Sequence, residues 1–122
     1  MKVLIIDDSL WQRKLLATIL GAAGHDVIEA SNGAEGVSRL AEQPSVIICD
    51  LLMPGMDGFD VLGALRHRGT PIPIVIASAD IQRTTRKKCE ELGARAFVAK
   101  PYGAGAILQA IAKATSEEPV RC

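Results

Sequence analysis

The chain has 122 residues, 48% of them hydrophobic, and its 14 Lys+Arg are balanced by 14 Asp+Glu. This is the size of one domain with a single core, and zero formal charge without a basic arm excludes a nonspecific hold on nucleic-acid phosphates or anionic lipid. No apolar stretch approaches the roughly 18 residues of a membrane span, the first residues read as a strand rather than a leader, and Cys49, Cys89 and Cys122 lack metal-ligand or redox spacing, so a soluble, cytoplasmic protein with reduced thiols is expected.

Val3 to Ile6 has the short, fully apolar character of a buried parallel strand, and Asp7-Asp8 closes it. Ser9 can cap a helix running to about Ala23, with Gly24 ending it. On that helix Leu15, Leu16, Ile19 and Leu20 form the apolar arc, and Trp11 falls at its edge. Asp26 to Ala30 is a second strand, polar enough for a sheet edge, after which Ser31-Asn32-Gly33 opens a helix carrying Val37, Leu40 and Ala41 that Pro44 stops. Val46 to Asp50 is the third strand, with Cys49 as small core filler and Asp50 placed where the buried run gives way to a loop. Asp57 caps a helix with Phe59, Val61, Leu62 and Leu65 at helical spacing up to Gly69, while Met53 and Met56 serve packing. Pro71 and Pro73 bracket the return to a fourth strand, Ile74 to Ser78, followed by a charged helix from Ile81 to Leu92. Ala96 to Lys100 is the fifth strand, and a final helix spans about Ala104 to Thr115, where Gly103 and Gly105 cost roughly 1 kcal/mol each relative to Ala and favour fraying. Residues 1–115 are expected to form one domain, with 116–122 a short tail or the start of a linker to a further domain.

Strands alternating with helices through short connections imply right-handed crossovers and a parallel sheet with helices on both faces. The economical order is 2-1-3-4-5, flavodoxin-like, with its switch point between strands 1 and 3. Ligands gather outside the carboxyl ends of such strands, so Asp7, Asp8 and Asp50 are expected to face one another there, joined by Ser78 and Lys100. Three carboxylates repel unless something neutralises them, and a hard divalent cation, Mg²⁺, does so while leaving positions open for phosphate oxygens. Lys100 supplies a mobile ammonium and Ser78 a hydroxyl, which together with one nucleophilic carboxylate read as a phosphoryl-transfer site.

Asp7-Asp8, Asp50 with Met53-Pro54 and Asp57-Gly58 behind it, Ser78-Ala79, Phe97 and Lys100-Pro101 together resemble the receiver domain of two-component response regulators, over Val3 to about Lys113. The resemblance implies a phosphorylation-activated switch that takes a phosphoryl group from a histidine kinase or phosphotransfer protein onto Asp50. Asp8 would be a direct Mg²⁺ ligand, Asp7 a ligand through water and Leu52 a ligand through its backbone carbonyl. Lys100, Ser78 and the backbone N–H groups of Leu51 and Ala79 would cradle the phosphoryl group, and the Lys100-Pro101 bond would be cis. Ser78 and Phe97 would be the switch residues, reading out on the fourth helix, fifth strand and fifth helix. Trp11 and Leu15 would be a docking pair for the phosphodonor, or else Trp11 simply caps the core.

Some positions depart from that pattern. Leu52 is apolar where relatives are commonly polar, so with Asp80 it is expected to set the lifetime of the phosphoryl group, making self-dephosphorylation slow. The segment Arg95-Ala-Phe97 lacks the acidic pair of relatives that form DNA-binding dimers through the last helices, which weakens a transcription-factor reading, and this domain is expected not to bind nucleic acid directly. His25 and His67 read as solvated, and Arg83 to Lys88 as an exposed helix face. A haloacid-dehalogenase-like phosphohydrolase would want Asp-x-Asp at the first strand, and a flavodoxin-like flavin site would suffer repulsion from Asp7-Asp8. A phosphorylation-independent pseudo-receiver, or the receiver part of a longer transcriptional regulator, remains the alternative reading.

Overall fold

The computed structural model describes residues 1–80 and 82–116. Its strands are β1 (Lys2–Ile6), β2 (Asp26–Ala30), β3 (Val46–Asp50), β4 (Ile74–Ser78) and β5 (Ala96–Ala99), all parallel in the order β2-β1-β3-β4-β5. The helices are α1 (Leu10–Ala22), α2 (Gly33–Ser38), α3 (Gly58–Arg68), α4 (Arg83–Glu91) and α5 (Ala104–Thr115). This is the flavodoxin-like arrangement expected, and among the described residues no helix is long and apolar enough to cross a membrane.

Alternation along each strand sorts the core into two layers. Val3, Ile5, Val46, Ile48, Val75 and Val98 pack beneath Leu16 and Leu20 of α1 and Ile107 and Ile111 of α5. Leu4, Ile6, Ile47, Cys49, Ile74 and Ile76 face the other side, against Val61, Leu62 and Leu65 of α3 and Cys89 of α4. Strands buried on both faces have no polar side to show, which is why they read as unbroken apolar runs.

Helix ends follow their local chemistry. The Ser9 hydroxyl accepts from Gln12 N–H at 3.2 Å, and Asp57 and Asp60 form a reciprocal capping box at 2.9 and 3.0 Å. Gly69, with φ of 66°, ends α3 in the left-handed conformation that glycine enters without steric cost.

Several expectations need correction. The second helix does not run unbroken to Pro44: α2 stops at Ser38 and continues as a 3-10 turn, Arg39–Glu42, closed by Gln43 at φ 55°. The side chain of Ile6 occupies the space a Cβ on Gly36 would need, so this short segment is shaped by close approach to β1 rather than by helical propensity. The fourth helix begins at Arg83, Ile81 lying outside the described residues, and the fifth strand ends at Ala99. Gly103 is the N-cap of α5, in extended conformation, and therefore carries no helix-interior penalty. Leu15 is 41% exposed rather than part of the buried arc, because α1 turns only Leu16 and Leu20 fully inward. The tail expected from residue 116 lies, beyond Ser116, outside the described residues.

Candidate functional site

Strand register brings the polar residues together. Ile6 pairs with Cys49, Asp50 with Ala77 and Ser78 with Ala99, so Asp7, Asp50, Ser78 and Lys100 all emerge at the carboxyl ends of the strands. Backbone bonds beyond the strands hold them there: Asp7 N–H donates to Ala30 O at 3.1 Å and Lys100 N–H to Ser78 O at 2.8 Å. At Gly58 a Cβ would meet the Asp50 carbonyl oxygen and the Leu51 Cα at 2.8 Å. Glycine there lets the start of α3 close beneath Asp50, where its N–H donates to Leu51 O at 2.8 Å.

Carboxylate oxygens of Asp7, Asp8 and Asp50 lie within 4.8 Å of one another. Asp7 is buried and occupied, accepting from Ser9 N–H at 2.9 Å and from the Lys100 ammonium at 3.4 Å. Asp8 is exposed and makes no hydrogen bond or ion pair with the described residues. Asp50 is 9% exposed and pairs with Lys100 Nζ at 2.9 Å. Burial raises the Asp50 pKa, the Lys100 hydrogen bond pulls it back, and the Asp7 charge raises it again, for a net upward shift. At Lys100, burial works against the ammonium, but the hydrogen bond and charge of Asp50 outweigh it and the pKa rises. Hard oxygen donors with a net negative charge suit a hard divalent cation, so the residues present fit Mg²⁺.

The Ser78 hydroxyl is buried and accepts from Asp80 N–H at 3.0 Å, leaving its own hydrogen available to a ligand. The Ala79 N–H has no partner among the described residues. The Leu51 amide corrects the expectation: it donates to Ala77 O at 3.0 Å, continuing the sheet ladder, and so is not free for a ligand. The next amide, that of exposed Leu52, is unpaired among the described residues. Asp80 does not point a free carboxylate at the pocket, because its oxygens accept from Gln82 N–H at 3.0 Å and Thr85 Oγ1 at 2.8 Å. Phe97 is half-buried with the Arg86 guanidinium 5.3 Å from its ring centroid, tying β5 to α4. Trp11, 78% exposed, and Leu15 share one face of α1 outside the cluster. Lys100-Pro101 is cis.

Two further residues were not singled out from the sequence. Arg13 donates from Nη1 to Asp7 O at 2.8 Å and pairs through Nε with Glu29 at 3.3 Å, bracing the β1–α1 turn. The Tyr102 hydroxyl donates to Gln12 Oε1 at 3.1 Å. Burial and the charges of Asp7 and Asp50 push its phenol up to about 12, so it stays protonated. Its position directly behind Lys100-Pro101 was the available signal.

The family model of the response regulator receiver domain matches residues 3–112. The chain is 33% identical over 114 residues to chemotaxis protein CheY of Bacillus subtilis, covering 92% of this chain and 95% of that one. It is 41% identical over 118 residues to the sensory/regulatory protein RpfC of Xanthomonas campestris, covering 92% of this chain but only 16% of RpfC. Among solved structures, Vibrio cholerae CheY4 superposes with a TM-score of 0.87 at 28% identity, over 93% of this chain and 97% of that one. A CheX-CheY-BeF3-Mg²⁺ complex from Borrelia burgdorferi matches with the same score and identity, over 92% of this chain and 87% of that one. The chain belongs to the response regulator receiver domain family, and Asp7, Asp8 and Asp50 form the kind of acidic pocket that holds Mg²⁺ in receivers. It spans about one sixth of RpfC, so the output of any longer protein is not contained in this match.

Proposed function

We propose that the domain is a phosphorylation-activated switch in two-component signalling, accepting a phosphoryl group on Asp50 from a histidine kinase or phosphotransfer protein. The observation that carries this reading is the 2.9 Å Lys100–Asp50 pair set against three carboxylates within 4.8 Å. One Asp50 oxygen attacks phosphorus, the bond to the donor breaks, and its electron pair leaves with the donor. Mg²⁺, held by Asp8, Asp50 and the Leu52 carbonyl with Asp7 through water, would neutralise charge on the phosphoryl oxygens. Lys100 turns from the carboxylate to a phosphoryl oxygen, and Ser78 donates its hydroxyl hydrogen to another. The Ala79 and Leu52 amides, unpaired among the described residues, complete the cradle in place of Leu51.

Movement of Ser78 perturbs its bond to Asp80, which is itself bonded to Thr85 of α4, so the pocket is linked to the α4, β5 and α5 surface on which Phe97 sits. The exposed Trp11 and Leu15 offer the phosphodonor an apolar foothold on α1. Residues 116–122, as a short tail or the start of a linker to an output domain, belong to the same reading. Incubation with Mg²⁺ and a small phosphodonor, followed by mass mapping, should place one labile phosphate on Asp50. Asp50→Asn should not label; labelling at another site, or equal labelling of wild type in chelator, would refute the assignment.

A further inference from the structure

The two charged walls of the pocket come from strands that never touch. β1, ending in Asp7 and Asp8, and β5, ending at Lys100, are separated in the sheet by β3 and β4. Among the described residues, two side-chain hydrogen bonds join these walls: Lys100 to Asp7 at 3.4 Å and Tyr102 to Gln12 at 3.1 Å. The first is long and is surrendered whenever the ammonium turns toward a phosphoryl oxygen. The second involves no ligand-binding group and survives that turn.

Tyr102 lies two residues after Lys100, with its ring packed against the core layer under α1 and α5. Gln12 lies in the first turn of α1, where its N–H donates to the Ser9 hydroxyl, and Ser9 N–H in turn donates to Asp7. The bond therefore links the lysine loop to the acidic turn through a short chain of hydrogen bonds. Ring packing alone fixes the depth of Tyr102; the hydroxyl adds a fixed direction. A lysine ammonium on a flexible four-carbon stem reaches a phosphoryl oxygen productively only if its backbone is held in place.

We propose that Tyr102 and Gln12 are a positioning pair for phosphoryl transfer, a tie across the pocket that keeps the Lys100 loop within reach of the group on Asp50. The inference rests on the phosphoacceptor reading of Asp50. Tyr102→Phe removes only the hydroxyl and keeps the packed ring, and Gln12→Leu removes the acceptor at similar size. Phosphoramidate serves as donor, because so small a molecule makes no use of α1 as a docking face. Three readouts are needed: the rate of Asp50 labelling at saturating Mg²⁺, Mg²⁺ affinity by titration calorimetry, and the thermal midpoint.

Each single variant should label roughly threefold to tenfold more slowly, the kinetic equivalent of one net hydrogen bond, with Mg²⁺ affinity unchanged. The double variant should be no slower than the slower single one, since one bond is lost only once. A wild-type rate in Tyr102→Phe, independent losses that multiply in the double variant, or a lowered midpoint at unchanged rate would each overturn the tie. Failure of wild type itself to label on Asp50 would instead overturn the parent reading, and the tie with it.

Discussion

The two ends of the sheet are built by opposite rules. At the amino end, polar groups find neighbours at once: Ser45 N–H donates to Lys2 O at 2.8 Å, Asp26 N–H to Met1 O at 3.0 Å, and the Lys2 ammonium to Glu42 O at 2.7 Å. No polar side chain needs to be buried there. At the carboxyl end, Asp7, Asp50 and Ser78 are the buried polar side chains of the described residues, and two of them carry like charges. The strands that carry the site thus divide their labour along their length, one end closing the fold and the other holding like charges that the proposed cation and phosphoryl group would relieve. The cost of that state is local, because β1, β3, β4 and β5 are apolar between their ends.

Lys100→Ala is the strongest way to break this contrast. If the carboxyl end serves the ligand, the variant should still fold, with a thermal midpoint lowered by the loss of the cation beside Asp50 and Asp7, yet label about tenfold to a hundredfold more slowly, as expected for loss of a charge-assisted bond. Its NMR response to beryllofluoride around Phe97 and α4 should also weaken. A variant that cannot fold would make Lys100 part of the fold-closing machinery and erase the distinction between the ends.

A smaller effect is expected at Leu52, which is 63% exposed beside the pocket and offers no side-chain hydrogen bond to an attacking water. Asp80 does not substitute for it, since its carboxylate is engaged by Gln82 and Thr85. Leu52→Asn keeps the backbone carbonyl and should speed loss of the phosphoryl group by about a few-fold to tenfold, about 1 kcal/mol of barrier. Decay after removal of the donor, at saturating Mg²⁺, measures it; equal or slower decay would show that Leu52 does not govern water access.

The smallest effect concerns stability. Asp50 has a folded-state pKa raised above its ordinary value of 3.8, so the native state holds the proton more tightly than the unfolded one, and the ionised carboxylate costs stability at neutral pH. Asp50→Asn in chelator should therefore stabilise the domain at neutral pH, read as a raised thermal midpoint. The advantage should shrink as pH falls through the raised value and disappear below the ordinary one, where both states are protonated. A less stable Asn variant at neutral pH would mean that the Lys100 pair outweighs burial and the repulsion from Asp7.

Apolar runs with charged ends made most of this legible in the sequence: β2, β3, β4 and α5 have the bounds their residues imply, and the acidic pocket follows from the strand order. What escaped depends on contacts across the fold. That Gly36 closes onto Ile6, a neighbour distant in the chain, and that α2 tightens into a 3-10 turn after Ser38, are not encoded in any local pattern. The exposure of Leu15 is set by the roll of α1 on the sheet, which a 100° periodicity gives only to within a residue. The Leu51 amide was misassigned because the ladder runs one residue past the strand, to Ala77. Tyr102 found its partner 90 residues away, a pairing that no local pattern encodes.

The bond from Lys100 to Asp7 joins residues 93 positions apart. A chain growing from its amino terminus completes Asp7, Asp8 and Asp50 well before the lysine is synthesised, and in the finished sheet β3 and β4 lie between β1 and β5. Nascent or truncated molecules therefore carry Asp7, Asp8 and Asp50 without the ammonium that pairs with two of them. The complete site, acidic and basic walls together, exists only once the last strand is in place.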